Sequence, residues 1–317
     1  MKKALITGIT GFVGSHLAEL LLPKGYEVYG TVRPRSSMEN IDHIKNKVKL
    51  VEIDITDPHS VLKVVGDIKP DYIFHLAAQT FVPSSWNAPT ETLNVNIMGT
   101  LNILEAARKL DIETRIQIAG SSEEYGKVYK DEVPIRETNP LRPMSPYGVS
   151  KVAADKLAVQ YNMSYGLKTV VTRAFNHTGP RRGEVFATSS FAKQIAMIEK
   201  GKQEPVIAHG NMEAQRDFSD VRDVVRAYEI SLQKCKFGDA YNICSGKAII
   251  IKDMLDTLLG FSKVKITTKF DESRARPSDV EILCGDCSKF REQTGWKPSI
   301  PFEKTMEDLL NYWRKRV

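Results

Sequence analysis

Two stretches of this 317-residue chain hold side chains able to move protons. "SPYGVSK" places Tyr147 and Lys151 four residues apart, so at the start of a helix they share one face. An ammonium group there can lower the pKa of the phenol. A phenolate can then take a proton from a sugar hydroxyl while hydride leaves the same carbon. "AGSSEEYG" sets Ser121, Ser122, Glu123 and Glu124 directly after the apolar run "RIQIA". The carboxyl ends of strands in open α/β sheets are where ligands bind, so this cluster is expected at a cleft.

A third stretch, "GITGFVG", carries Gly8, Thr10, Gly11, Phe12, Val13 and Gly14, the glycines spaced G-x-x-G-x-x-G between strand and helix. Small residues there let backbone approach a pyrophosphate seated on the helix N-terminus. The second strand of such a unit ends in an acid when NAD is held. Here "TVRPRSS" presents Arg33, Arg35, Ser36 and Ser37 instead. Cations and hydroxyls suit a 2′-phosphate, so NADP is expected; a solvated basic loop is the other reading. Asp54 and Ile55 are expected near the adenine and Leu76, Ala77 and Ala78 near the cofactor, although these last three also read as tight strand packing.

These groups need a scaffold. "KALITGITGFVGSHLAELLLPKGYEVYGTV" reads as strand, glycine turn, helix, strand. Val48–Ile53, "DYIFHLAA", "RIQIAGSS" and "KTVVTRAFN" add strands. Helical patterns separate them: "PHSVLKVVGDI", "NVNIMGTLNILEAARKL" and "SKVAADKLAVQYNMSY". Such alternation predicts a doubly wound parallel sheet with right-handed crossovers. After Asn176 the rhythm breaks, and "DFSDVRDVVRAYEISLQ" with "AYNIC" reads as a helix–strand pair returning to the sheet. The expected division is a Rossmann-like cofactor domain (1–175 plus 220–244) and a smaller α/β substrate domain (176–219 plus 245–317), with a cleft between them.

Composition sets outer limits. With 42% hydrophobic and 26% charged residues, the chain is ordinary globular material. Cys235, Cys244, Cys284 and Cys287 are too few for a disulfide framework and fit a reducing compartment. "CGDC" lacks the two further ligands of a zinc site, so no metal is expected. Glycines interrupt the first apolar run, which argues against a signal peptide, and no stretch approaches the roughly 20 apolar residues of a membrane span. A cytoplasmic protein is expected, and the sequons at Asn162 and Asn176 are then irrelevant. The net charge of +6 suggests anionic partners. The basic residues are spread rather than striped, which favours small phosphorylated ligands over nucleic acid.

Joined in one chain, the glycine turn and the Tyr147–Lys151 pair resemble extended short-chain dehydrogenase/reductases acting on nucleotide-sugars, over nearly the full length. Within that group "LAAQTFV", "FNHTGPRRGEVF" and "GNMEAQRDFSDVRD" are similar to GDP-mannose 4,6-dehydratases, whereas "SSEEYG" and "LRPMSPYGVSK" resemble the related GDP-4-keto-6-deoxy-mannose reductases. The resemblance implies a third catalytic hydroxyl at Ser121 and a supporting asparagine at Asn96. The dehydratase motif is T-S-E with the glutamate as base; here it is S-S-E, which assigns that role to Glu123. Ser122 and Glu124 are expected to be local structure and solvated loop. His177 and Arg182 are implied toward the cofactor, and Gln79, Ser85, Asn176, Lys193, Arg216, Arg276 and Glu281 toward a GDP-sugar. Arginine forks suit diphosphate oxygens. The resemblance further implies a homo-oligomer: a tetramer through Arg35, Ser36, Ser37, Arg181 and Arg182, or a dimer through two long helices. Gln79 and the "RPRSS" and "PRRGE" loops favour the NADP-dependent dehydratase; a reductase or a bifunctional enzyme is the alternative, and a nucleotide-sugar 4-epimerase stands behind both.

Overall fold

Strands such as "YIFH", with all four residues buried, can sit only where helices cover both faces of a sheet. The computed structural model, which describes residues 1–274 and 280–317, provides that setting. Its strands are β1 (Lys3–Thr7), β2 (Glu27–Val32), β3 (Lys49–Glu52), β4 (Tyr72–His75), β5 (Arg115–Ser121), β6 (Lys168–Ala174), β7 (Asn176–Thr178), β8 (Val206–His209), β9 (Gln215–Asp220), β10 (Asp239–Ile243), β11 (Ala248–Ile250), β12 (Thr267–Phe270) and β13 (Ile282–Leu283). The helices are α1 (Phe12–Leu21), α2 (Pro58–Ile68), α3 (Val82–Asn87), α4 (Pro89–Leu93), α5 (Gly99–Lys109), α6 (Pro146–Tyr165), α7 (Ala187–Glu199), α8 (Val221–Lys234), α9 (Ile251–Gly260), α10 (Ser288–Thr294) and α11 (Phe302–Arg314).

The main sheet runs β10-β6-β5-β4-β1-β2-β3, parallel throughout. Strand order reverses between β1 and β4, and a crevice outside the carboxyl ends follows from that reversal. One face buries Leu17, Leu21, Val224 and Tyr228 of α1 and α8. The other buries Val61, Val65, Ile103, Leu104, Ala154 and Ala158 of α2, α5 and α6. The fold is therefore the doubly wound α/β arrangement expected from the alternation.

The later segments form smaller sheets. β9 lies between β11 and β13 and also pairs with β7, while β8 pairs with β12. Phe191, Ile195, Met254, Leu258, Met306 and Leu310 of α7, α9 and α11 make a third core. None of these short strands was expected: most of their residues are polar or exposed, so periodicity carries little signal there.

Candidate active site

α1 begins where β1 ends. Its N-cap is Gly11, which offers no side-chain cap, and its first turn holds no acid, so its amide groups face the cleft unneutralised. Helix and turn meet closely at Gly14, where an added Cβ would stand 2.5 Å from Gly8 O. Thr7 Oγ1 accepts hydrogen bonds from Leu76 N (2.9 Å) and Ala77 N (3.0 Å), tying the β4 exit to β1. His75 contacts that hydroxyl at 3.0 Å and Thr100 Oγ1 at 3.2 Å. Burial, then the Lys151 charge, lowers its pKa to about 3, so it is a neutral strut.

α6 is launched by Ser145, whose Oγ caps Gly148 N at 3.0 Å. Gly148 lies so near the turn after β5 that a Cβ would stand 2.7 Å from Glu123 O. That close approach brings Tyr147 to Ser121 and Glu123. The Ser121 hydroxyl hydrogen-bonds the Tyr147 phenol, yet burial dominates and holds the phenol above its ordinary value; the Glu123 charge adds to this and Arg182 opposes it. Lys151 is buried, donates to Ala119 O at 2.9 Å and lies 5.8 Å from the Tyr147 ring centre. Burial brings its own pKa down to about 8. The phenol is thus raised where a depression was expected, and burial is the largest cause.

Asn96 links the two halves of the site. It sits in a π-helical turn, Asn94–Met98, between α4 and α5. Its Oδ1 accepts from Gln79 N (2.8 Å), and its Nδ2 donates to Gln79 O (3.0 Å) and Ser150 Oγ (2.8 Å). Ser150 Oγ donates in turn to Tyr147 O at 2.6 Å. Such single-turn π insertions are frequent at functional sites.

A cleft of about 730 Å³ joins these parts. It is lined by Gly8, Thr10, Gly11, Phe12, Val13 and Gly14 from the turn, Arg33 and Ser36 after β2, and Asp54 and Ile55 after β3. Leu76, Ala77, Ala78 and Gln79 after β4, then Ser121, Glu123 and Tyr147, and finally Asn176, His177 and Arg182 complete it. His177 stacks on Phe12 with ring centres 6.0 Å apart and donates from Nδ1 to Phe175 O at 2.9 Å. Burial lowers its pKa to about 4. The Arg182 guanidinium lies 3.5 Å from the Phe186 ring centre and 5.2 Å from that of Phe12. Gln79 Oε1 and Asn176 Oδ1, on two residues that line the cleft, are buried without a hydrogen-bond partner. An uncapped helix N-terminus, no acid at the end of β2 and a basic residue there fit a phosphorylated dinucleotide.

Other named residues stand elsewhere. Arg35 is exposed in a left-handed conformation (φ 62°) and does not line the cleft. Ser85 is buried and donates to Val82 O at 2.7 Å. Lys193 pairs with Glu184 in a separate depression beside Gln194 and Lys269. Arg216 donates from Nη1 to Val280 O at 2.7 Å. Glu281 is largely exposed and lies 3.6 Å from Lys130. Arg276 falls outside the described residues. Glu124 corrects an expectation: far from solvated, it is fully buried and lies 3.2 Å from Arg173. Its partner offered the missed signal, a charge inside the apolar strand "KTVVTRA".

A family model described as GDP-mannose 4,6 dehydratase matches residues 5–309. The chain belongs to that family. Among its relatives the GDP-mannose 4,6-dehydratase of Yersinia enterocolitica is 37% identical over 350 aligned residues, 98% of this chain and 93% of the relative. The GDP-6-deoxy-D-mannose reductase of Pseudomonas aeruginosa is 31% identical, covering 100% of this chain and 98% of its own. The solved structure of the P. aeruginosa protein RMD complexed with NADPH has a TM-score of 0.87 at 31% identity, covering all of both chains. The family assignment makes this an enzyme of the nucleotide-sugar short-chain dehydrogenase/reductase type. Among the described residues no group of His, Cys, Asp and Glu is arranged to hold a metal, and no helix is long and apolar enough to cross a membrane.

Proposed function

We propose that the protein is an NADP-dependent GDP-mannose 4,6-dehydratase. The observation that carries this reading is one cleft lined both by three proton-handling groups, Ser121, Glu123 and Tyr147, and by the glycine turn. Bound NADP supplies a hydride acceptor for C4 of the sugar and a hydride donor for C6. Tyr147 takes the O4 proton, with Ser121 hydrogen-bonded to the same oxygen. The resulting 4-ketone acidifies C5–H, Glu123 takes that proton, and the C6 hydroxyl leaves as water with the proton that Tyr147 took from O4. Glu123 then returns a proton to C5, so the net reaction is loss of one water. Arg33 and Ser36 hold the 2′-phosphate, and Arg182 and the α1 amides face the rest of the cofactor. Gln79 and Asn176 accept from the sugar hydroxyls; Lys193 and Arg216, which stand outside that cleft, take the nucleotide side together with Arg276 and Glu281, and Ser85 supports them from the interior. Arg35 and Ser37, exposed after β2, belong to contacts between like subunits.

A reductase delivering hydride from NADPH to a 4-ketone is the second reading, favoured by the end-to-end match with the Pseudomonas protein. Glu123 has no required step in that reaction. Glu123→Gln therefore separates the two: loss of dehydration with retained cofactor binding supports the proposal, and unchanged product formation contradicts it.

A further inference from the structure

Two adjacent arginines in the turn after β7 serve different places. Arg182 lines the cleft, whereas Arg181 does not. The turn is tight: Gly179 has φ 143°, Arg181 has φ 72°, and Arg182 N donates to Gly179 O at 3.1 Å. A left-handed conformation is uncommon for a residue with a side chain and persists only when its surroundings enforce it. His16 of α1 supplies part of that support, its Nε2 donating to Pro180 O at 2.9 Å. The same tautomer leaves Nδ1 to accept from Arg181 Nη2 at 2.6 Å.

The Arg181 guanidinium, 11% exposed, joins three segments. Its Nη1 and Nη2 donate to Glu19 Oε1 (2.8 Å) and Oε2 (2.6 Å) on α1, a two-pronged geometry specific to arginine. Nη1 also donates to Asn40 O at 3.1 Å. Asn40 Nδ2 donates in turn to Thr10 O, in the glycine turn, at 2.9 Å. Asn40 closes the stretch after β2 in which Arg33 and Ser36 line the cleft. Arg33 N donates to Ser36 Oγ at 3.1 Å and Ser36 N to Arg33 O at 3.1 Å, so residues 33–36 form one self-closed turn. That unit hangs between β2 and the Asn40 tether, and the fully buried Ile41 fixes the chain beyond it.

We propose that Arg181 is a positioning residue that sets the preference for NADP over NAD: through Asn40 it holds the turn after β2 so that Arg33 and Ser36 meet the 2′-phosphate. Without the guanidinium, Asn40 O loses its donor and the turn gains freedom to swing between β2 and Ile41. NAD lacks that phosphate and makes no use of the two side chains. The inference rests on the reading of Arg33 and Ser36 as the groups that hold the 2′-phosphate.

The test titrates NADP and NAD separately into the full-length protein by calorimetry, with no turnover required. Arg181→Met is expected to weaken NADP about tenfold, the scale of one hydrogen bond to a charged group, and NAD by less than about twofold. Combined with Arg33→Met, its loss is expected not to add to that of Arg33→Met alone, because both act through one turn. Equal losses for the two cofactors, losses that add, or an unchanged ratio of affinities overturn the inference in favour of a packing role. Arg181→Lys keeps a cation beside Glu19 but cannot span Glu19 and Asn40 O. Should Arg181→Met not fold, Arg181→Lys decides: a reduced preference for NADP supports the inference and an intact preference overturns it. A parent protein that binds both cofactors alike overturns the reading of the 2′-phosphate site, and this inference with it. A parent that prefers NADP equally with and without Arg181 overturns the inference alone.

Discussion

In the proposed dehydration, proton transfer at C5 falls to the Glu123 carboxylate. A positioned general base contributes roughly 10²–10⁴-fold, so Glu123→Gln is expected to lower kcat for dehydration by that factor. Its affinity for NADP, followed by quenching of protein fluorescence, is expected to stay within about twofold. The buried neighbour behaves differently. The Glu124 acid has a folded pKa of about 8 against an ordinary 4.5, so between those values the folded state binds more protons than the unfolded one. Its contribution is present below pH 4.5 and lost as pH rises through 8. The Tm advantage of the parent over Glu124→Gln is therefore expected to shrink steadily between about pH 5 and pH 8; a constant gap across that range contradicts the assignment. Adjacent glutamates with opposite fates were not distinguishable from "SSEE" alone. Only the register of β5 against β6, which pairs Gly120 with Arg173, sets Glu124 toward that guanidinium.

At the scale of elements, the site depends on two contacts without room for a side chain. Gly14→Ala would force a Cβ to 2.5 Å from Gly8 O and 2.8 Å from Ile9 Cα. Both are backbone, so α1 must move off the turn. Overpacking of this kind costs about 1–3 kcal/mol, and thermal unfolding is expected several degrees lower, with weakened NADP binding. Gly148→Ala meets Glu123 O at 2.7 Å and is expected to lower kcat more than Tm, because it separates Tyr147 from the β5 turn. Helix α2 was legible to the residue, since Asp57 caps His59 and Ser60 and Pro58 starts it. The π turn at Asn94–Met98 was not: its residues continue the helical apolar pattern, and the bulge is imposed by the bonds of Asn96 to Gln79 and Ser150.

For the whole molecule, the alternation of strands and helices made the sheet and its switch point readable, because a parallel sheet has few allowed connections. The region beyond β10 was less readable. Its short strands pair with segments distant in sequence, as β13 does with β9 and β12 with β8, and local pattern does not encode those partners. The central claim is a closed redox cycle within one site. It is tested by incubating the purified protein with GDP-mannose and a trace of NADP⁺ and following the sugar nucleotide by mass. Many turnovers to a product lighter by one water, without added reductant, are the expected result. Product that forms only from a 4-keto sugar, with one NADPH consumed per turnover, would contradict it.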